Sequence, residues 1–287
     1  ALEQLPEETG FSAEMIRLGL KELCWMFEPR VLRKKIATEL RGIPRAKGGF
    51  YNYSTQTEFT WQPLGTVLHV LSGNVFLVAA GSLVEGLLTG NATILKPSSS
   101  EKIFPRLLLK SLRECDKEGI VSGSVELADY SSSQADVIAE FKKRVDGIVV
   151  WGGEEAVKAY RDGLPARTKL VVFGPKLSLA VATQEGLREQ GVKPVAQRLA
   201  WDVSIWDQNA CTAPQACFVE GAANAGILAE ALATSMKEIS RKFPPGRLDP
   251  DTAAEIRKIR TVFEIAEARK EGRLLEAEKG LDWTVVV

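Results

Sequence analysis

The most reactive side chain in this sequence stands at a break between apolar runs. Cys211 sits in WDQNACTAP, residues 206–214, after Asp207, Gln208 and Asn209 and shortly before Pro214. Structural cysteines usually lie inside apolar runs, whereas a polar turn leaves a side chain within reach of other molecules. A thiolate is a strong nucleophile, and sulfur both carries and releases acyl groups well. Backbone N–H groups of a turn beside the thiol would lower its pKa and polarise a carbonyl under attack. Taken alone, Cys211 also fits an inert, buried thiol.

The other cysteines read differently. Cys24 beside Trp25 is expected to be core packing, Cys115 a small apolar filler on a helix, and Cys217 in QACFVEG a structural thiol on a strand. None forms a CxxC and no His/Cys cluster has zinc-ligand spacing, so no metal site is predicted. The single histidine, His69, falls mid-strand in TVLHVLS. It is expected to be a core imidazole with its hydrogen bonds satisfied, not a general base.

Three further features close apolar runs: Ser72-Gly73-Asn74, Lys96-Pro97-Ser98-Ser99 and Trp151-Gly152-Gly153. The elements around them alternate. GTVLHVLSG reads as a buried strand and VFLVAAGSLVEGLLTG as a helix closed by Gly90-Asn91. ATILK reads as a strand, and KIFPRLLLKSLREC as a helix whose start at Ser98 and Glu101 matches a capping box. GSVELADY and DGIVVWGG follow as strands, then the helix EEAVKAYRDG. KLVVFGPKLSLAVA is a fifth apolar strand region, broken by Gly174-Pro175. This alternation predicts a doubly wound α/β sheet, in which ligands bind at the carboxyl ends of the strands. All three features fall there. No GxGxxG and no GxxxxGK[ST] is present, so the standard nucleotide fingerprints are missing. The helix start after Gly152-Gly153 could still hold a phosphate through free N–H groups and the helix dipole. The plain alternatives are a tight turn at Gly152-Gly153, a turn residue at Asn74 and a surface lysine at Lys96.

Before these strands, residues 12–41 predict two helices. Ser12 caps the first, Ile16, Leu20, Leu23 and Phe27 recur at helical spacing, and Leu32, Ile36 and Leu40 repeat the pattern after Pro29. RAKGGFYNYSTQTEFTWQPLG alternates aromatic and polar residues and predicts an extended arm of the kind that pairs with a neighbouring subunit's sheet. After QACFVEG come a helix over 222–241, a loop through Pro244-Pro245-Gly246, a helix from about 250 to 271, and the apolar strand LDWTVVV.

The 287 residues suffice for two domains. Lys+Arg and Asp+Glu are both 37, which leaves no net field to draw in nucleic acid or an anionic membrane. The basic stretch Arg30, Arg33, Lys34 and Lys35 reads as a solvated helix face. Few, scattered cysteines predict a reduced, cytoplasmic protein. No signal-peptide pattern opens the chain, no apolar run is long enough for a membrane span, and a start at Ala1 suggests a trimmed end.

The blocks VLHVLSGNV, GNATILKPSSS, VVWGGEEAV, VFGPKLS and DQNACTAPQ, in this order, resemble the aldehyde dehydrogenase superfamily. Within it they are most similar to the fatty acyl-CoA reductases of LuxC type. GNATILKPS is the most specific block for the superfamily, and DQNACTAPQ points to the acyl reductase branch. The resemblance runs from about residue 60 to the end. It implies an aldehyde dehydrogenase-like fold: residues 1–178 hold the N-terminal helices, the arm and a Rossmann-type NAD(P)-binding domain, and residues 179–287 hold a catalytic domain that is partial here.

On this resemblance Cys211 is the nucleophile. Asn74 is the residue whose amide, with the cysteine's backbone N–H, holds the oxyanion; an amide suits this because it donates without titrating. Lys96 contacts the adenosine ribose, Leu71 and Ser72 belong with the cofactor-binding residues, and Ser98 and Ser99 fall where the family reads the ribose 2′ position. Three serines with no carboxylate there favour NADPH, with NADH as the other possibility. Gly152 and Gly153 match the turn over the pyrophosphate, with Gly153 replacing the family's usual serine. One departure carries information. Hydrolytic members have a glutamate base in the segment matching LVVFGPK, and this sequence has Val172 and Phe173 there. Without a base to activate water, an acyl-enzyme would survive to meet a hydride or a thiol.

The expectation is therefore NADPH-dependent reduction of a long-chain fatty acyl-CoA, or another activated acyl group, to the aldehyde. The partner would be acyl-CoA or an acyl-transferring protein, in a homo-oligomer. Two alternatives stand beside it: a non-catalytic nucleotide-binding subunit, favoured by the short chain and Gly153, and a reductase of an acyl phosphate such as γ-glutamyl phosphate.

Overall fold

The structure is a computed structural model and describes residues 3–39 and 50–287. In chain order it holds α1 (Leu5–Thr9), α2 (Ala13–Met26), α3 (Pro29–Glu39), β1 (Phe50–Asn52), β2 (Thr57–Phe59), β3 (Thr66–Val70), α4 (Val78–Leu88) and β4 (Ala92–Lys96). Then come α5 (Ile103–Cys115), β5 (Val125–Leu127), α6 (Ala135–Arg144), β6 (Gly147–Trp151), α7 (Glu154–Arg161), β7 (Lys169–Phe173), β8 (Ser178–Ala182), α8 (Gln184–Gln190) and α9 (Val192–Ser204). The chain closes with β9 (Pro214–Val219), α10 (Ala222–Lys242), α11 (Pro250–Ala268), β10 (Leu274–Glu276) and β11 (Thr284–Val286). Contacts divide it into two compact units, Leu18–Pro175 and Ala1–Arg17 with Lys176–Val287.

In the first unit a five-stranded sheet has the order β5-β4-β3-β6-β7, and every neighbouring pair is parallel. The strand order reverses between β3 and β6, so the crevice beyond their carboxyl ends is the topological switch point where α/β sheets bind ligands. One face buries Leu68, Val70, Ile148 and Val150 against Ile138 of α6 and Val157 and Tyr160 of α7. On α4 and α5, Ala79, Ala80, Leu83, Phe104 and Leu109 are buried as well. Strands buried in this way read as near-continuous apolar runs, which is why they were visible in the sequence.

In the second unit β8 and β9 form a two-stranded parallel sheet. Ala182, Leu187, Ala196 and Leu228 make the core on one of its faces. On the other, Leu179, Val181 and Phe218 are exposed. The terminal run pairs as a β10–β11 hairpin. The side chain of Arg260 on α11 anchors it by donating to Thr284 Oγ1 and to the carbonyls of Gly280 and Trp283.

Several expectations are met locally. The Ser12 hydroxyl accepts from the Met15 N–H at 3.3 Å and caps α2. Part of the predicted arm is extended but pairs with itself, as the antiparallel β1–β2 hairpin; its first residues, 45–49, and the end of the second predicted helix, residues 40–41, lie outside the described residues. Other expectations are corrected. The Ser98–Glu101 capping box does not form: α5 starts at Ile103, and the carboxylate of Glu101, itself buried, accepts from the Phe104 N–H at 3.2 Å. Cys24 and Cys115 are exposed, Cys115 because it is the last residue of α5, beyond that helix's last buried side chain, Leu109. The KLVVF and LSLAV runs are two strands in two sheets, separated by Gly174-Pro175. Helices α1, α6, α8 and α9 had no counterpart in the sequence reading. Among the described residues, no helix is long and apolar enough to cross a membrane.

Candidate active site

The predicted cofactor residues all lie in the first unit, and all at the carboxyl ends of β3, β4 and β6. Leu71 continues β3, its N–H bonded to the Lys96 carbonyl at 2.9 Å, and is buried. Ser72 is half-buried, and Gly73 and Asn74 are exposed in the bend before α4. Gly73 is pressed against the segment after β4: a Cβ there would overlap the hydroxyls of Ser98 and Ser100, which bond each other at 3.1 Å. The Ser72–Asn74 bend and the Ser98–Ser100 segment therefore form one tight wall. Ser99 is exposed at its rim.

Lys96 ends β4 with only 6% of its surface exposed. It pairs in register with Val70 and so shares the sheet face covered by α6 and α7. Burial lowers its pKa, the nearby Asp129 carboxylate opposes this, and Lys102 adds to it. Its ammonium lies 5.5 Å from the centre of the Tyr130 ring. A buried cation with little local compensation is costly unless it meets a polar or anionic group. Asp129 and Tyr130 follow β5 in LADY and escaped the sequence reading, although they too close a strand run. Asp129 accepts from Lys102 at 2.8 Å and from Arg106 at 2.6 Å, and these cations hold its carboxyl below the usual range. The hydroxyls of Tyr130 and Tyr160 bond at 2.7 Å.

Gly152 and Gly153 link β6 to α7. Gly153 is the N-cap, at φ −70° and ψ 177°, and supplies no side-chain cap. A Cβ at Gly153 would meet nothing within 4 Å, so neither conformation nor space demands glycine. The uncapped first turn has N–H groups available to a phosphate, although Glu154 and Glu155 already stand there. The bend at Gly73, the serine hydroxyls, Lys96 and the uncapped start of α7 all lie at the carboxyl ends of the strands of one sheet, where they could donate to a ligand.

At the end of β7 the position without a glutamate is filled by an aromatic stack. Phe173 lies face to face with Trp151, ring centres 3.9 Å apart. His69 is buried on the opposite face from Leu68 and Val70, and neither ring nitrogen has a hydrogen-bond partner among the described residues. The expected satisfied imidazole is thus corrected: burial without a partner lowers its pKa to about 4 and keeps it neutral.

Cys211 lies in the second unit and is exposed, in the turn that enters β9. Cys217 on β9 is half-buried against the α8–α10 core, which raises its thiol pKa, in keeping with a structural role. The approach to Cys211 is unusual. Trp206, Asp207 and Gln208 are all left-handed, at φ 63°, 50° and 60°. A non-glycine residue in this region costs about 1–2 kcal/mol, so three in a row need support. The Asn209 N–H bonds the Trp206 carbonyl at 2.8 Å, and Gln208 Nε2 donates to the Pro214 carbonyl at 3.2 Å. Ser178 Oγ on β8 donates to the Cys211 carbonyl at 2.7 Å.

The chain matches the family model described as acyl-CoA reductase (LuxC) over residues 1–287. It is 28% identical over 193 residues to long-chain acyl-protein thioester reductase 2 of Photobacterium leiognathi, an alignment covering 67% of this chain and 39% of that protein. With the long-chain acyl-protein thioester reductase of Aliivibrio fischeri it shares 26% identity over 212 residues, covering 73% and 43%. The chain thus spans about two-fifths of the length of these relatives. Among solved structures it resembles an NAD-dependent benzaldehyde dehydrogenase from Corynebacterium glutamicum, with a TM-score of 0.71, 14% identity, and coverage of 99% of this chain and 61% of that one. It also resembles a glyceraldehyde-3-phosphate dehydrogenase from Methanocaldococcus jannaschii complexed with NADP, with a TM-score of 0.69, 14% identity and the same coverage. The structural likeness establishes an aldehyde dehydrogenase-like fold, and the match along its whole length makes the chain a member of the acyl-CoA reductase (LuxC) family.

Proposed function

We propose that this chain carries the cofactor-binding residues and the nucleophile of a reductase that converts a long-chain acyl thioester to the aldehyde. The observation that carries the reading is the exposed Cys211 thiol at the mouth of β9 in a member of this family. The names of the relatives favour an acyl group borne on a protein; the family description favours coenzyme A. Both are thioesters, and the same thiol chemistry serves either.

Cys211 Sγ attacks the acyl carbonyl carbon, the carbon–sulfur bond to the carrier breaks, and the carrier leaves as a thiol once protonated. The acyl group then rests on Cys211. Asn74 and the backbone N–H of Cys211 are assigned to the oxyanion on the family resemblance. A reduced nicotinamide, when bound, would supply the hydride to the acyl carbon, and the bond from that carbon to Cys211 Sγ then breaks, which releases the aldehyde and returns the thiolate. Leu71, Ser72, Lys96, Ser98, Ser99, Gly152 and Gly153 are assigned to holding it. NADPH is favoured because Glu101, the carboxylate nearest to the three serines in sequence, is buried and engaged with the start of α5. Val172 and Phe173 support reduction over hydrolysis, since the Phe173–Trp151 stack offers no base to activate water. Tyr51, Tyr53 and Trp61, exposed in and beside the β1–β2 hairpin, are consistent with self-association.

The test uses palmitoyl-CoA with NADPH or NADH, reading acyl-enzyme by intact mass and aldehyde by trapping. Cys211→Ser should lose the stable acyl-enzyme and the aldehyde, and Asn74→Ala should slow acylation by about 10²-fold. A serine variant that makes aldehyde at the parent rate removes Cys211 from the reaction. Equal rates with NADH remove the preference for NADPH.

A further inference from the structure

We infer that Asp207 is a positioning residue for Cys211: its carboxylate, tied to the Gly246 N–H, holds the left-handed turn that delivers the chain to the thiol. The inference rests on the reading of Cys211 as nucleophile and adds a residue to which no role has been assigned.

Five non-glycine residues among those described have positive φ, and three of them are the consecutive Trp206, Asp207 and Gln208. A turn that only had to reverse the chain would use glycine, asparagine or aspartate at such positions, and Trp206 and Gln208 are none of these. Here side chains pin it instead. Asp207 Oδ2 accepts from the Gly246 N–H at 3.0 Å. Burial pushes the Asp207 carboxyl up, and the Gly246 hydrogen bond opposes this. Gly246 is itself locked, because a Cβ there would overlap the Gly10 carbonyl oxygen and crowd the Phe11 backbone. The Arg247 N–H bonds the same Gly10 carbonyl at 2.7 Å. Phe11, 4% exposed, meets the Trp206 ring edge-on with centres 5.7 Å apart. The segments around Gly10, Asp207 and Gly246, far apart in sequence, thus clasp one another on the upstream side of Cys211. On the downstream side, Ser178 holds the Cys211 carbonyl. The nucleophile's loop is fixed at both ends while its thiol stays exposed. Such a clasp sets where Sγ and the Cys211 N–H point, and misplacing either is expensive in rate.

The test compares the parent chain with Asp207→Ala, Asp207→Asn and Cys211→Ser. It follows acyl-enzyme formation from palmitoyl-CoA over a concentration series, and amide hydrogen exchange at Gly246 and over residues 206–213. Asp207→Ala should slow acylation between about tenfold and 10²-fold with the half-saturating concentration little changed, and Gly246 should exchange faster. Asp207→Asn, whose amide oxygen can still accept from Gly246, should recover most of the rate and the protection. Acylation of Asp207→Ala at the parent rate, with Cys211→Ser inert, overturns the inference and leaves the nucleophile standing. Acylation of Cys211→Ser at the parent rate overturns the nucleophile, and this inference with it. If Asp207→Ala fails to fold, Asp207→Asn decides: parent-like protection with a rate still lost would overturn the role given to this hydrogen bond.

Discussion

The two parallel sheets of this chain are built from similar residues and end in different states. The β3–β7 sheet has helices on both faces, and Ile148 at its centre has no exposed surface. The β8–β9 sheet has one covered face, while on the other Val181 is 75% and Phe218 61% exposed. Both read as apolar strand runs, because β-branched and apolar residues occupy both sides of each strand. The lesson is that strand composition reports what a sheet face can bury, and only its neighbours decide what it does bury. The candidate sites follow the same division. The residues proposed to hold the cofactor sit on the covered sheet, where packing holds the loops at the strand ends. The Cys211 loop sits on the sparse sheet and is held by its own side-chain clasp.

Equal truncations in the two sheets should separate them most sharply. Ile148→Ala should cost about 2–5 kcal/mol, the range for deleting a buried aliphatic side chain. Val181→Ala should cost no more than about 0.5 kcal/mol. Urea unfolding of both variants measures the difference, and comparable losses would mean that the β8–β9 face is covered in solution.

A second probe uses the polar flaw in the covered sheet. His69 is neutral in the fold with a pKa of about 4, while the unfolded chain has the ordinary value of 6.5. Between these values the unfolded state binds the proton and the folded state does not. Stability from this group is therefore intact above pH 6.5 and declines as pH falls towards 4. The full shift corresponds to about 3 kcal/mol. His69→Leu should flatten the stability curve across this window relative to the parent. An unchanged slope would mean that His69 finds a proton partner in solution.

The smallest expected effect is at the α7 cap. Gly153→Ser should change stability by only a few tenths of a kcal/mol, since φ is ordinary and the space is open. Thermal melts with and without NADPH would check it. A large loss in either would show that the departure from the family's serine is itself a requirement.

Much of the architecture was legible because periodicity and punctuation are local. The runs TVLHV, ATILK and GIVVW announced β3, β4 and β6, and the residues that close them lie at the carboxyl ends of these strands. The motif blocks announced the family. What escaped depended on partners distant in the chain. The Glu101 carboxylate turned inward to cap α5, so the local Ser98–Glu101 pattern was outcompeted. Asp129 and Tyr130 gained meaning only beside Lys96, over thirty positions away. The split between β7 and β8 was marked by Gly174-Pro175, but not the assignment of each strand to its own sheet.

By itself, the sequence determined the strand–helix alternation, the family blocks, the polar break around Cys211 and the absence of a carboxylate at 172–173, because each is a property of neighbours along the chain. The tertiary structure alone decided that His69 would be buried without a partner, that one face of β8–β9 would stay bare, and that Gly10, Asp207 and Gly246 would meet. These are outcomes of packing between segments far apart in sequence, where desolvation and van der Waals contact, not local propensity, set the energy.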